Sequence, residues 1–229
     1  MKLTNYSSRF SKKQIILLSI PVFFSNFAIP LVGVVDTGLM GNLGATKYLA
    51  ATSIATSVMT MVIWSFGFLR MGTVGIVSQA YGRADYREIV KTLLRNFIIA
   101  IIVALVIIIL TPLINFCIHY FFNTSLETQK LINTYINVRV FSVPAELLIY
   151  ILVGFYLGIQ KTKISSLMII TLSVLNIVFS SVLVLSYNLN VFGVALGTLL
   201  ASYVTLIIFT LFSYKYIIKK FKIIPRFEK

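Results

Sequence analysis

Uncharged apolar runs longer than a soluble core helix needs recur along the whole chain. The stretch FIIAIIVALVIIIL (97–110) is the plainest of them. Apolar segments of about 18 residues or more are the length a helix needs to cross a bilayer. In hydrocarbon every backbone N–H and C=O must be satisfied within the segment, which leaves helices or closed barrels. The runs show no alternation of polar and apolar residues, so strands are excluded and helices remain. A hydrophobic content of 59% and a mean hydropathy of +0.97 agree, because a soluble domain needs a largely polar surface.

The pattern predicts an all-α membrane protein with six spans, at about 14–39, 49–79, 96–119, 134–158, 164–187 and 190–215. The first is expected to break at Pro21 and Pro30. The longest connection, about 120–133, is polar (NTSLETQK). Residues 216–229 read as a basic tail. The apolar stretch near the N-terminus is too long, and too quickly followed by further spans, for a signal peptide. It reads as an uncleaved first helix.

Lys and Arg are unevenly shared between the two ends of this bundle. One side holds Lys2, Arg9, Lys12 and Lys13, then Arg83, Arg87, Lys91 and Arg95, then Lys161 and Lys163, then the tail. The other side holds Lys47 and Lys130, with Arg139 at the edge of a span. The positive-inside rule puts the first side, and both termini, in the cytoplasm. The formal net charge of +14 is therefore topological. It forms no single stripe of the kind nucleic acid requires.

Polar residues inside the spans ask for a reason, since a charge at mid-membrane costs about 2.5–3.5 kcal/mol on insertion scales. Of the six acids, only Asp36 and Glu146 fall in spans. Asp36 lies late in span one, in the outer half. Asn176 and Ser180, one turn apart on span five, and Thr198 on span six reach similar depth. A carboxylate ringed by hydroxyl and amide oxygens suits a proton or a hard cation such as Na⁺. The alternative is a set of helix–helix hydrogen bonds. Glu146 follows Pro144 and either faces a cavity or pairs with a neighbouring helix. Arg70 is expected to snorkel toward the cytoplasmic interface. Cys117 reads as a small buried hydrophobe and His119 as an interfacial side chain in an aromatic belt. There is no phosphate-binding GxxxxGK[ST] sequence, no His cluster and no nucleophile–base set, so neither direct ATP use nor an enzyme is expected.

The runs IPLVGVVDTGLMGNLGA (29–45) and FGFLRMGTVGIVSQAYGR (66–83) resemble the first two helices of MATE multidrug and toxin extrusion transporters, the DinF-like branch above all. RVFSVPAELLIYILVGFYLGIQ (139–160), LNIVFSSVLVL (175–185) and GVALGTLLASY (193–203) follow in the same order. The resemblance implies one six-helix lobe of a two-lobed exporter in the plasma (inner) membrane. Such a protein exchanges cationic or amphipathic small molecules for H⁺ or Na⁺ and needs no other cofactor. It implies a cation-coupling group at Asp36, Asn176 and Thr198, and a bend of helix one at Pro21. Relatives often carry a second aspartate where this chain has Ser180. That loss of a negative charge tilts the expectation toward protons, with Na⁺ at Asp36 as the alternative. The resemblance spans a first lobe only. The expected partner, besides membrane lipids, is a second six-helix lobe, either a separate chain or a second copy in a homodimer. A non-functional remnant or a membrane scaffold is the competing reading.

Overall fold

The computed structural model describes residues 12–221. Within them the chain forms nine α-helices and one 3₁₀ turn, and no strand. The helices are α1 (Lys12–Gly41), α2 (Thr46–Ser65), α3 (Phe68–Gly82), α4 (Tyr86–Ile109), α5 (Thr111–Phe121), α6 (Leu126–Arg139), α7 (Val143–Gly158), α8 (Thr162–Leu185) and α9 (Asn190–Phe221). The 3₁₀ turn is Val140–Ser142, between α6 and α7. Joined where they run on, they give six segments long and apolar enough to cross a membrane. The protein is a multi-pass helical membrane protein.

Several boundaries differ from the sequence expectation, each for a local reason. Helix α1 runs through Pro21 and Pro30 instead of breaking there. Each proline removes one i→i−4 bond, but the remaining ladder carries the helix past it. The second span is two helices, α2 and α3, parted at Phe66–Gly67, where both residues form a turn. The third begins at Tyr86, not near 96, because Asp85 caps α4 by accepting the Glu88 N–H at 3.0 Å. Arg87, Lys91 and Arg95 thus sit on a helix and not in a loop. The run breaks again at Leu110, since Pro112 cannot continue a helix but fits the first turn of α5. The expected long connection at 120–133 shrinks to residues 122–125. Ser125 caps α6 by accepting the Thr128 N–H at 3.3 Å. Helix α9 extends to Phe221, so 216–221 are helical and not tail. Residues 222–229, like Lys2 and Arg9, lie outside the described residues.

The fourth span is the most buried of the six, and it lies at the centre of the lobe. Its α7 packs on α3, α4, α8 and α9, while α6 packs on α2 and α9. Helix α8 lies between α1 and α9. Two pairs of glycines four residues apart allow these close approaches, Gly154/Gly158 on α7 and Gly193/Gly197 on α9. A Cβ on Gly154 would sit 2.7 Å from the Arg70 carbonyl oxygen, and one on Gly197 would sit 2.6 Å from the Ser180 backbone N. The backbones touch where a methyl group has no room. Large apolar side chains such as Phe23, Phe24, Phe27, Ile102 and Leu211 point outward, as lipid demands.

At one end of the bundle Lys47 Nζ pairs with Glu127 Oε2 at 2.9 Å, joining the starts of α2 and α6. At the other end Tyr86 stacks on Phe221 with ring centroids 4.7 Å apart, joining α4 to the end of α9. The guanidinium carbon of Arg70 lies 6.0 Å from the centre of the Tyr150 ring. Cys117 is exposed on α5 and not buried.

These glycine contacts generate a test. Gly197→Ala is expected to destabilise the lobe by about 1–3 kcal/mol, the usual penalty for overpacking. Gly75→Ala, where the added Cβ meets nothing within 4 Å, is the control and should not destabilise. Thermal unfolding of the two variants in detergent checks the contrast.

Candidate functional site

Asp36 lies five residues before the end of α1 and is only 7% exposed. Its Oδ1 is buried and meets no hydrogen-bond partner among the described residues. It lines an open cavity of ≈ 740 Å³ between α1 and α2. The opposite wall is a run of hydroxyls on α2: Thr52, Ser53, Thr56, Ser57, Thr60 and Ser65. Thr52 Oγ1 is likewise buried and unpartnered among the described residues. Trp64 lies on the same wall. A carboxylate with an unmet oxygen beside hydroxyls that can donate or accept is a site for a proton, a cation or water.

The sequence expectation groups Asp36 with Asn176, Ser180 and Thr198. The structure brings the last three together. Asn176 Nδ2 donates to Thr198 Oγ1 at 2.9 Å, and Ser180 Oγ donates to Asn176 Oδ1 at 3.4 Å. Thr198 Oγ1 in turn donates to the Val194 carbonyl at 3.0 Å. All three side chains are buried. Among the described residues no hydrogen bond joins Asp36 to this trio, although α1 packs directly on α8. The trio stitches α8 to α9, and Asp36 opens on the α2 side instead. Pro21 and Pro30 lie on the same helix as Asp36, farther toward its N-terminus.

The structure also assembles a cluster that the sequence reading missed. Arg139 and Glu146 form a bidentate ion pair across the 3₁₀ turn, with Arg139 Nη2 at 3.2 Å from Glu146 Oε2 and Nη1 on Oε1. The two side chains are 11% and 12% exposed. Ser142 Oγ is 2.9 Å from Glu146 Oε1, and Ser202 Oγ of α9 is 3.4 Å from the same oxygen. Glu146 therefore pairs, and its partner is on its own span. One turn before Arg139, the fully buried Tyr135 accepts at its hydroxyl a hydrogen bond of 3.0 Å from Thr56 Oγ1. Thr56 lines the Asp36 cavity. A hydrogen bond thus leads from the cavity wall at Thr56 to Tyr135, one turn before Arg139.

Two signals in the sequence point to these residues. TSIATSVMT (52–60) repeats hydroxyls at helical spacing inside an apolar span. Arg139 and Glu146 are seven residues apart, two turns of one helix.

The fold is thus a six-span helical bundle with a buried carboxylate opening on a polar cavity. The MatE family model matches residues 21–182, and the chain belongs to that family. It is 32% identical over 199 residues to DNA damage-inducible protein F of Escherichia coli (strain K12), an alignment covering 86% of this chain and 43% of that protein. It is 26% identical over 197 residues to the multidrug export protein MepA of Staphylococcus saprophyticus, covering 85% and 43%. Among solved structures, an outward-facing multidrug resistance MATE family transporter of the MOP superfamily superposes with a TM-score of 0.81 at 22% identity, over 87% of this chain and 44% of the other. A MOP superfamily transporter from Pyrococcus furiosus gives the same score and coverage. The chain spans a little under half the length of the relatives it matches.

The geometry separates the roles of two neighbours by stability. Asn176→Ala should destabilise by about 1–2 kcal/mol, because it strands Thr198 and Ser180 hydrogen-bonding groups in the interior. Asp36→Asn should not destabilise, since it removes a buried charge without breaking a hydrogen bond at Oδ1. Thermal denaturation of the purified variants distinguishes these outcomes.

Proposed function

We propose that the chain is one lobe of a secondary active exporter of MATE type, in which Asp36 binds the coupling ion. The observation that carries this reading is the buried Asp36 Oδ1, without a partner among the described residues, at the wall of a hydroxyl-lined cavity. A relative named for multidrug export supports a small-molecule cargo, which the family resemblance makes cationic or amphipathic. The coupling ion is a proton. Ser180 offers no second carboxylate to hold a metal cation beside Asp36. Asn176, Ser180 and Thr198 hold α8 and α9 together beside α1, and Pro21 and Pro30 soften α1 below Asp36.

The exposed side of α2 supports a partner. Ser53, Ser57, Thr60, Trp64 and Ser65 lie on one face and would be poorly solvated by lipid tails. A second six-helix lobe facing them, whether in the same polypeptide, a separate chain or a second copy, would enclose a watered cleft. In a plasma membrane the Lys and Arg distribution sets both termini in the cytoplasm.

Protonation of Asp36 cancels a charge in a medium of low dielectric, so the neutral and ionised forms favour different helix arrangements. Cargo release toward the outside follows if the arrangement favoured by the neutral form shrinks the cavity. The test is pH-gradient-driven export of an amphipathic cation from proteoliposomes holding the chain together with a complementary lobe. Export is expected, with a loss of tenfold or more for Asp36→Asn. Export that survives Asp36→Asn unchanged refutes the coupling role. Absence of export with every lobe supplied favours the scaffold or remnant.

A further inference from the structure

Resting on the exporter reading above, we propose that an apolar groove on the adjoining flank of α2 binds the hydrocarbon tail of the cargo, so that one cationic amphiphile lies across α2 with its head in the Asp36 cavity and its tail among α2, α4 and α5. The groove has a volume of ≈ 490 Å³. Val58 and Val62 of α2 form one wall, and Ile107 of α4 with Leu113, Cys117 and Phe121 of α5 form the other. Leu110, where the chain breaks between α4 and α5, also lines it. Groove and cavity each fall within the range of about 300–1,000 Å³ usual for small-molecule sites.

The two are continuous over the surface of α2. Around a helix of 3.6 residues per turn, Ser57, Met61, Ser65, Val58 and Val62 follow one another at steps of about 40°. The first three line the cavity and the last three line the groove, so Ser65 belongs to both. The surface thus passes from hydroxyl to aliphatic side chains with no other helix between. Met61 and Ser65 are both exposed at this edge, and the flexible thioether of a methionine adapts to chains of different shape.

The charges on the two flanks differ in the way a cationic amphiphile requires. Asp36 is the only charged residue lining the cavity, and its Oδ1 has no partner among the described residues. The residues lining the groove include none that is charged. A bilayer phospholipid offers the same kind of tail, but its phosphate would meet a carboxylate of like charge at Asp36. Lipid gives an apolar tail no hydrophobic drive to leave it. What selects the tail is therefore its attachment to a head that Asp36 holds, which raises its effective concentration at the groove.

The test uses the full chain in phosphatidylcholine nanodiscs and a dodecyltrimethylammonium ion carrying a photoreactive diazirine at the end of its tail. Mass spectrometry maps the residues it labels, and the fluorescence of Trp64, the one tryptophan of the chain and part of the cavity lining, follows the head. Labelling is expected to be saturable and to concentrate on residues 107–121, with the Trp64 signal saturating at the same probe concentration. Asp36→Asn, and Val62→Phe, which fills the groove, should each lower that labelling tenfold or more. The uncharged alcohol with the same photoreactive tail should label lipid-facing positions on all helices without saturating. Labelling by the cation that does not saturate, that equals that of the alcohol, or that is unchanged in Asp36→Asn overturns the shared site, and the wild-type map decides this even if a variant fails to fold. The exporter reading fails separately. Saturable groove labelling without pH-driven export of the same ion, with every lobe supplied, counts against that reading and leaves the site. Export without saturable groove labelling overturns the site and leaves the reading.

Discussion

The lobe is organised around one constraint: a carboxylate kept from bulk water in a medium that punishes charge. An ionised group transferred to an apolar interior loses far more solvation than any single hydrogen bond returns. Asp36 faces a cavity whose opposite wall carries dipoles, the hydroxyls of α2. Without that wall the burial of Asp36 would be a defect rather than a device.

Holding these groups in place requires that the helices meet closely, and lipid gives no hydrophobic drive for that. Small residues do the work. Gly154 and Gly158 bring α7 against α3, and Gly197 brings α9 against α8. Hydroxyls then bond across the contacts, as Tyr156 and Ser213 do at 2.8 Å between α7 and α9. Glycine contacts and buried polar bonds are two halves of one arrangement, because an interhelical hydrogen bond needs backbones near enough for short side chains to reach. The same logic places the 3₁₀ turn. A proline in the central span loosens the backbone where the ion pair can tie it again.

Much of this was legible in the sequence. Six spans follow from apolar length alone, since the bilayer permits so few solutions. Asp36 and Glu146 stand out as the only acids within the spans read from the sequence, and the i,i+4 pair Asn176 and Ser180 does lie on one face toward Thr198. What could not be read was pairing. Arg139 sits at the edge of an apolar run, and nothing local says that α6 begins early enough to carry it inside. Ser125, which caps α6, lies in NTSLETQK, a polar stretch that reads equally as loop. Which wall Asp36 would face was also hidden, because helix one packs on α8 and opens toward α2 at once. Rotation of a helix about its axis is a tertiary result, and the hydroxyl run of α2 hints at it without fixing it.

The central claim is that Asp36 exchanges a proton inside the lobe. Infrared difference spectroscopy of the chain in lipid reads this directly, because a protonated carboxyl in an apolar setting has its own C=O stretch, distinct from that of a carboxylate. The account predicts a carboxyl band that appears as pH falls and is missing from Asp36→Asn. A spectrum in which the band is unaffected by Asp36→Asn, or in which no carboxyl band responds to pH, would contradict it.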